Sequence, residues 1–283
     1  MNFIGRQVET FTLLRELAKG ASTRVFLVSD GQVVKALKVF LPQNHWRAER
    51  ELEVGLQLEH PHLNPVEALI FMDDHPCILM PLMIGQRLGF WLEGAPLSAF
   101  LQRMIEVLCA LDYLHGKNII HRDLKPDNIM VTRNAAKEPS ALLFDFDLAV
   151  YSSADKQPQT TAGTAAYFSP EQATGLPVTP ASDLYSAGII LYRGITGEVP
   201  FTGSFEEVLE AHRELTPEPV SSFQADVFQA DGLQTDLAPF DELLEQLLAK
   251  EPEDRFASAA DVIEELEALQ KLYAKPMPEA RGS

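Results

Sequence analysis

The stretch HRDLKPDN, residues 121–128, decides how this sequence is interpreted. It holds an aspartate, a lysine two residues later and an asparagine five residues later. Two isoleucines precede it, and the apolar run 129–131 follows it as a predicted strand. Several side chains suited to chemistry therefore lie in one short loop between apolar segments.

A second apolar run, residues 142–144, leads into an Asp-Phe-Asp triplet that begins at Asp145. An antiparallel hairpin brings its two open ends together, whatever the length of its tip. If 129–131 pairs with 142–144, Asn128 and Asp145 lie side by side. An amide oxygen and a carboxylate at one point form a hard-oxygen site that suits Mg²⁺ rather than zinc. The aspartate of the quoted stretch then lies in the adjoining loop, where it can orient a hydroxyl.

The chain changes character near residue 85, from predicted strands to predicted helices. The predicted elements are strands 24–28, 32–40 and 77–83 and helix 46–58 before that point, and helices 97–115, 183–192, 241–248 and 258–272 after it. This order predicts an α+β protein with a small β-rich lobe carrying one helix (1–83), a larger helical lobe (84–275) and a tail (276–283). A two-lobed chain favours a ligand between the lobes.

The composition excludes several classes of protein. The 283 residues include 23 Lys and Arg against 41 Asp and Glu, which gives a net charge of −18. A general nucleic-acid binder is expected to be basic, because phosphate contacts dominate its affinity. Cys77 and Cys109 lie far apart without a C-x-x-C spacing, which argues against a disulfide scaffold and indicates a reducing compartment. No apolar stretch is long enough for a membrane span, and the N-terminus lacks the pattern of a signal peptide.

The sequence resembles the protein kinase family, specifically the bacterial Ser/Thr kinases of eukaryotic (Hanks) type. Residues 121–128 match the catalytic-loop signature H-R-D-L-K-x-x-N, and the resemblance extends from about residue 10 to 272. It implies a two-lobed protein kinase fold and transfer of the γ-phosphoryl group of ATP to Ser or Thr hydroxyls of proteins. The implied cofactor is Mg²⁺, with Mn²⁺ as the alternative, and the expected location is cytoplasmic.

The resemblance also implies roles for the residues of the loop. Asp123 would be the catalytic base that accepts the proton of the substrate hydroxyl. Asn128 and Asp145 would hold the metal, and Lys125 would neutralise charge on the transferring phosphoryl group.

The implied nucleotide site begins with a lysine on a strand. Ala36-Leu37-Lys38-Val39 matches the V-A-I-K strand, so Lys38 would bind the α- and β-phosphates. Lys35 has the opposite strand parity and should face away from the nucleotide. The partner of Lys38 would be Glu51, which the family pattern places nine residues before the His-Pro at 60–61.

The other residues implied at the nucleotide line its base and its phosphates. The Gly-rich loop matches weakly, because only one of its three glycines is kept. Ala36 would pack on adenine. Met80 would be the gatekeeper residue, and the hinge between the lobes would follow it. The residues implied here are Leu17, Gly20 and Val25 of the loop, Ala36 of the strand, and Met80, Pro81 and Met83 at the hinge.

Three further matches are structural. Residues 163–171 match G-T-x-x-Y-x-S-P-E, which implies that Thr164 bonds Asp123 and Lys125 in the acceptor pocket. The resemblance also implies a Glu171–Arg255 ion pair. Asp183 would cap the backbone of the catalytic loop.

The polar stretch 152–161 contains two adjacent threonines, Thr160 and Thr161. Arg122 precedes the catalytic aspartate, as in kinases that loop phosphorylation switches on. A phosphate gains charge-assisted bonds to arginine and orders a loop. Autophosphorylation at Thr160 or Thr161 is therefore predicted.

The sequence departs from the family pattern at Asp147, where the D-F-G motif has glycine. An aspartate there restricts the backbone and adds a carboxylate that would help hold the metal or would repel the triphosphate. This departure and the incomplete Gly-rich loop favour a first alternative, a pseudokinase that binds ATP without transfer. A small-molecule kinase of the aminoglycoside or choline type is the second alternative, because Phe-Asp-Phe-Asp at 144–147 resembles its metal segment.

Overall fold

The computed structural model of the chain describes residues 3–152, 164–223 and 236–273. Six strands come first, with one helix among them: β1 (Gln7–Val8), β2 (Phe11–Lys19), β3 (Thr23–Ser29), β4 (Val34–Phe40), α1 (His45–Gly55), β5 (Ala68–Met72) and β6 (His75–Pro81). The strands form one antiparallel sheet in the order β1-β2-β3-β4-β6-β5, and α1 packs against β5 and β6. The end of α1 lies so close to the segment that leads into β5 that a Cβ on Gly55 would come within 2.4 Å of the Val66 side chain.

The β3–β4 hairpin is confirmed, and it decides which way each side chain of β4 points. Asp30 closes its turn by accepting from the backbone N–H groups of Gln32 and Val33, both at 2.9 Å. Leu37 and Val39 pack into the apolar cluster on one face of the sheet, while Ala36 and Phe40 pack into the cluster on the face that carries α1. Lys38 shares the parity of this second set, as alternation along a strand requires.

Mostly helical structure follows β6. The elements are β7 (Gln86–Arg87), α2 (Leu88–Trp91), α3 (Leu97–Gly116), β8 (Ile119–Ile120), β9 (Ile129–Arg133), β10 (Pro139–Leu143), β11 (Val150–Tyr151), α4 (Pro170–Thr174), α5 (Pro180–Thr196), α6 (Phe205–Glu214), α7 (Pro239–Leu247) and α8 (Ala259–Tyr273). The largest apolar core lies here, centred on α3 and α5, whose buried residues cover several faces of each helix. The predicted α+β, two-part fold is confirmed.

The β9–β10 hairpin pairs the two apolar runs on which the metal-site prediction depends. Ile129 lies opposite Leu143, and the N–H of Phe144 donates to the carbonyl of Asn128 at 3.1 Å. The open end of the hairpin therefore brings the residue before Asp145 against Asn128.

Several predicted bounds are wrong by a few residues. The predicted strand 77–83 begins at His75 and ends at Pro81, and the predicted helix 46–58 ends at Gly55. The predicted helix 183–192 begins at Pro180, because Thr179 and Ser182 cap its first turn. Within the described ranges, no helix combines the length and the apolar character that crossing a membrane requires.

Lys250 is a half-buried ammonium that leads to a stability prediction. Its Nζ lies 5.0 Å from the centre of the Phe201 ring and has no hydrogen-bond partner among the described residues. Burial, together with the charge of Arg255 and against that of Glu214, lowers the pKa of Lys250 to about 8. The unfolded chain, with an ordinary lysine pKa, therefore holds this proton more tightly than the folded chain, so stability rises as pH increases from about 8 to 10.

We expect Lys250→Met to raise the free energy of unfolding at pH 7 by about 1 kcal/mol, a value reduced from the pKa shift because the side chain is only half-buried. Urea unfolding at pH 7 and pH 10 measures the effect, and the gain should shrink at the higher pH. Lys271→Met, on the exposed side of α8, is the matched control. A gain that is the same at both values of pH would contradict the prediction.

Candidate active site

Asp183, near the start of α5, holds the loop 121–128 in place. Its carboxylate accepts from the backbone N–H of His121 at 2.9 Å and of Arg122 at 2.8 Å, and His115 Nε2 lies 2.8 Å away. Burial opposes ionisation of Asp183, but the hydrogen bond and charge of His115, together with His121 and the N–H of Arg122, outweigh it and leave the pKa of Asp183 below its ordinary value. This carboxylate supports a strained backbone, because Arg122 has φ of 69°, in the left-handed region.

Asp123 is held at its carboxylate and at its carbonyl. Lys125 Nζ donates to Asp123 Oδ2 at 2.6 Å. Asn128 Nδ2 donates to the same oxygen at 2.9 Å and to the carbonyl of Asp123 at 2.8 Å. Burial raises the pKa of Asp123, and Lys125 offsets part of the rise. The loop therefore presents a fixed carboxylate whose second oxygen is available to a ligand.

Lys38 reaches across the gap between β4 and the segment after β10. Its Nζ donates to Glu51 Oε2 at 2.7 Å, to Asp145 Oδ1 at 2.7 Å and to Asp147 Oδ2 at 3.0 Å. Burial alone would lower the pKa of Lys38, but the three carboxylates outweigh it and the pKa lies far above its ordinary value. Burial and the two aspartates raise the pKa of Glu51, against the effect of Lys38. Lys35, on the other face of the strand, forms an ion pair with Glu67.

The donor atoms near Asp145 suit a divalent cation. Burial opposes ionisation of Asp145, but the charge and hydrogen bond of Lys38, with smaller contributions from Lys125 and His121, outweigh it and lower the pKa to about 2, so the group is a carboxylate at neutral pH. The amide nitrogen of Asn128 donates to Asp123, so the amide oxygen of Asn128 points to the opposite side. A carboxylate and an amide oxygen are hard ligands of the kind that Mg²⁺ prefers. The residues present therefore fit the metal that the sequence predicts.

Asp147 faces α1. Its side chain is 2% exposed, and Arg47 Nη2 donates to both of its oxygens at 2.8 Å. Its backbone does not have the positive φ that favours glycine, whereas Asp145 does, with φ of 74°. An aspartate is thus accepted without backbone strain where the D-F-G pattern has glycine.

Glu171 and Arg255 form a buried pair below the site. Arg255 Nη1 and Nη2 donate to the two oxygens of Glu171 at 2.9 and 2.8 Å, and Ser182 Oγ donates to the same carboxylate at 2.7 Å. Burial raises the pKa of Glu171, but Arg255 and Ser182 outweigh it, and the net pKa is lowered.

The side chains predicted around the nucleotide fall into two groups. Ala36 and Met80 are buried in one apolar cluster with the partly buried Val25. The remaining residues of this set are more exposed or have only backbone to offer: Leu17, Gly20, Pro81 and Met83. The N–H of Gly20 donates to the carbonyl of Thr23 at 2.8 Å and closes the turn between β2 and β3.

The role of Thr164 in the acceptor pocket stays a prediction. The residue is exposed, and no described hydrogen bond joins its hydroxyl to Asp123 or Lys125. Lys125 donates to the Asp123 carboxylate. Thr160 and Thr161 lie outside the described residues.

Sequence reasoning missed Arg47. It precedes Glu51 by four residues, so the two side chains share one face of α1. An arginine on that face, together with an aspartate in place of glycine at 147, was the available signal. His115 was also missed, because its partner Asp183 is 68 residues away along the chain.

A β-rich part with a buried lysine–glutamate pair, facing a helical part with Asp123, Asn128 and Asp145, defines the protein kinase fold class. The chain belongs to the protein kinase family, since the model of the protein kinase domain matches residues 11–267.

Named relatives agree with this assignment. Serine/threonine-protein kinase Pkn1 of Myxococcus xanthus is 33% identical over an alignment of 272 positions, and the match covers 91% of this chain and 38% of that protein. Serine/threonine-protein kinase PknB of Mycobacterium tuberculosis is 35% identical over an alignment of 269 positions, and the match covers 87% of this chain and 40% of that protein. The chain thus spans about two fifths of the length of these relatives. The crystal structure of the Mycobacterium tuberculosis PknI kinase domain has a TM-score of 0.70 and 26% identity, and the match covers 93% of this chain and 98% of that one.

Proposed function

We propose that this chain transfers the γ-phosphoryl group of ATP to serine or threonine hydroxyls of proteins. The observation that carries the proposal is the placement of two carboxylates with separate partners. Lys125 and Asn128 hold Asp123 in its loop, while Lys38, backed by Glu51, holds Asp145. The relatives described above are named as serine/threonine kinases, which supports hydroxyl groups of proteins as acceptors.

The chain's own residues contribute position and charge. Asp123 orients the acceptor hydroxyl and accepts its proton as the new O–P bond forms and the bond to the leaving ADP oxygen breaks. Lys125 Nζ lies 2.6 Å from Asp123 Oδ2, so it stands beside the proposed base, where it would neutralise charge on the phosphoryl group in transit. Lys38, oriented by Glu51, binds the α- and β-phosphates. Little covalent work falls to the protein in such a transfer.

Asn128 and Asp145 are the residues that would hold the metal. Bound Mg²⁺ supplies positive charge at the phosphate oxygens, and Mn²⁺ shares its preference for oxygen ligands. Asp145 offers an ionised carboxylate to the metal, because its pKa of about 2 leaves the group deprotonated at neutral pH.

The nucleotide base is proposed to lie between the lobes, bounded by 1–83 and 84–275. Val25, Ala36 and Met80 supply an apolar wall, and β6 ends at Pro81, where the backbone passes from one lobe to the other. Leu17, Gly20 and Met83 complete the proposed site by their positions in the chain.

The partners are proposed from charge and from cysteine chemistry. A net charge of −18 favours basic protein substrates and disfavours nucleic acid. Cys77 and Cys109 are both free thiols, and burial raises the pKa of Cys77 to about 12, so it is unreactive. We propose a reducing, cytoplasmic setting on this ground.

Incubation of the chain with labelled ATP, Mg²⁺ and a basic protein acceptor tests the function. We expect label in protein serine or threonine, and no label with Asp123→Asn. Mapping the label within the chain tests autophosphorylation at Thr160 or Thr161. A chain that carries no phosphate in 152–164 would contradict the predicted autophosphorylation. Nucleotide binding without transfer would identify a pseudokinase, and transfer to aminoglycosides or choline alone would identify a small-molecule kinase.

A further inference from the structure

Arg47 connects three parts of the molecule that each contribute to the proposed nucleotide site. From α1 its Nη2 donates to both oxygens of Asp147 at 2.8 Å, and its Nη1 donates to Ser22 Oγ at 2.8 Å. Ser22 lies in the turn between β2 and β3, and Asp147 lies two residues after Asp145. One guanidinium group therefore connects the Gly-rich loop and the segment that follows β10 to α1, the helix that carries Glu51.

The charges around Lys38 show why a second cation is needed here. Oxygens of Glu51, Asp145 and Asp147 lie within 4.8 Å of one another, and Lys38 Nζ contacts all three groups. A single ammonium group is shared among three acidic side chains in a buried setting, where an unpaired charge is costly, so Asp147 needs a further partner. Arg47 adds the second positive charge, and it adds it at Asp147.

Binding of a triphosphate would change the hydrogen-bond partners of Lys38. To bind phosphate oxygens, Lys38 must loosen part of its present set of contacts, and Asp147 at 3.0 Å is the longest of them. Asp147 is almost fully buried and keeps Arg47 as a partner when Lys38 turns away. Without Arg47 the same carboxylate would compete with the phosphates for Lys38 and would repel them.

We propose that Arg47 is a positioning residue, which holds the Asp147 carboxylate so that Lys38 is free to bind nucleotide phosphate. The proposal rests on the proposed function, since it concerns the nucleotide of that same reaction. It explains how the chain tolerates aspartate where the D-F-G pattern has glycine: the extra carboxylate is paired, and its pair fixes α1.

The proposal predicts that two substitutions compensate each other. Arg47→Ala leaves Asp147 with Lys38 as its remaining cation, so we expect the Kd for Mg²⁺–ADP and the KM for ATP to rise about tenfold, a size typical of coupling between contacting residues. Asp147→Gly alone should change both by about threefold or less. Arg47→Ala combined with Asp147→Gly should return the Kd to within about threefold of the wild-type value, because the competing carboxylate is gone.

The experiment measures the Kd for Mg²⁺–ADP by calorimetric titration and KM and kcat by labelled transfer, for the two single variants, the double variant and Arg47→Lys. Arg47→Lys keeps the positive charge but loses the planar guanidinium group that contacts both Asp147 oxygens, so an intermediate Kd is expected. Arg50→Ala is the matched control on the same helix, because Arg50 pairs with Glu53 one turn away. Far-UV circular dichroism confirms that each variant is folded.

A double variant that binds ADP as weakly as Arg47→Ala, or more weakly, overturns the proposal, because a purely structural role for Arg47 gives additive losses. Loss of folding in Arg47→Ala and in the double variant alike also overturns it, for the same reason. Wild-type chain that binds ADP but transfers no phosphate refutes the proposed function only, and the Kd values still decide the role of Arg47.

Discussion

Asp123→Asn is expected to lower kcat for phosphoryl transfer by about 10²- to 10⁴-fold, the range that a general base contributes. Asparagine has the same shape, so its amide oxygen still accepts from Lys125 and Asn128, which now donate to Asp123 Oδ2. What it lacks is the charge and the basicity needed to take a proton from the acceptor hydroxyl. The KM for ATP should change by less than about threefold, because Asp123 contacts neither Lys38 nor Glu51.

The matched control for this variant is Asp127→Asn, an exposed aspartate in the same loop. It removes an equal charge four residues away and should leave kcat within about twofold of wild type. Steady-state kinetics with a basic protein acceptor measures both variants. Equal losses in the two would show that loop charge, and not a base at Asp123, accounts for the rate.

Local patterns in the sequence were enough to predict the pieces of the site that short-range geometry determines. The match to the V-A-I-K strand selected Lys38, and strand parity set aside Lys35, which lies on the opposite face and pairs with Glu67. The meeting of Asn128 with the end of β10 follows from hairpin geometry, which does not depend on the tip. The catalytic roles of these residues remain predictions, because contacts in the structure do not test them.

The contacts that the sequence did not reveal are those that depend on how distant elements pack. Arg47 and Asp147 are 100 residues apart, and their pairing requires α1 to sit against the segment after β10. No periodicity within either segment encodes that distance. Helix bounds were missed where capping by Thr179 and Ser182 extends α5 beyond its apolar stretch.

Arg255→Met is expected to lower the free energy of unfolding by about 3–5 kcal/mol, as when one partner of a buried ion pair is removed. The Arg255 side chain is fully buried, and each of its five N–H donors has an acceptor. Two donate to Glu171, and the other three donate to the carbonyls of Ala249, Ala181 and Lys250 at 2.8, 2.9 and 2.9 Å. Methionine fills similar volume but leaves the Glu171 carboxylate with Ser182 as its remaining side-chain donor.

The dependence on pH separates the lost charge pair from lost packing. In the wild type the pKa of Glu171 is lowered, so its stabilisation is present above the unfolded pKa, ordinarily near 4.3, and is lost as pH falls through the lower folded pKa. In Arg255→Met the effect of burial is no longer offset by Arg255, so the pKa of Glu171 rises. As pH falls, Glu171 becomes protonated, and the variant no longer carries the cost of an unpaired buried carboxylate. Urea unfolding should therefore show a smaller difference between variant and wild type at pH 4.5 than at pH 7.

A double-mutant cycle with Glu171→Gln completes the test. Because glutamine carries no charge, adding Glu171→Gln to Arg255→Met should cost less than the same change in the wild type, with a coupling of about 1–3 kcal/mol. Arg213→Met in the last turn of α6, an exposed arginine, is the control and should change stability by less than about 0.5 kcal/mol. Additive effects, or a difference that does not change with pH, would mean that Arg255 stabilises the helical lobe by packing and by its three carbonyl bonds rather than through Glu171.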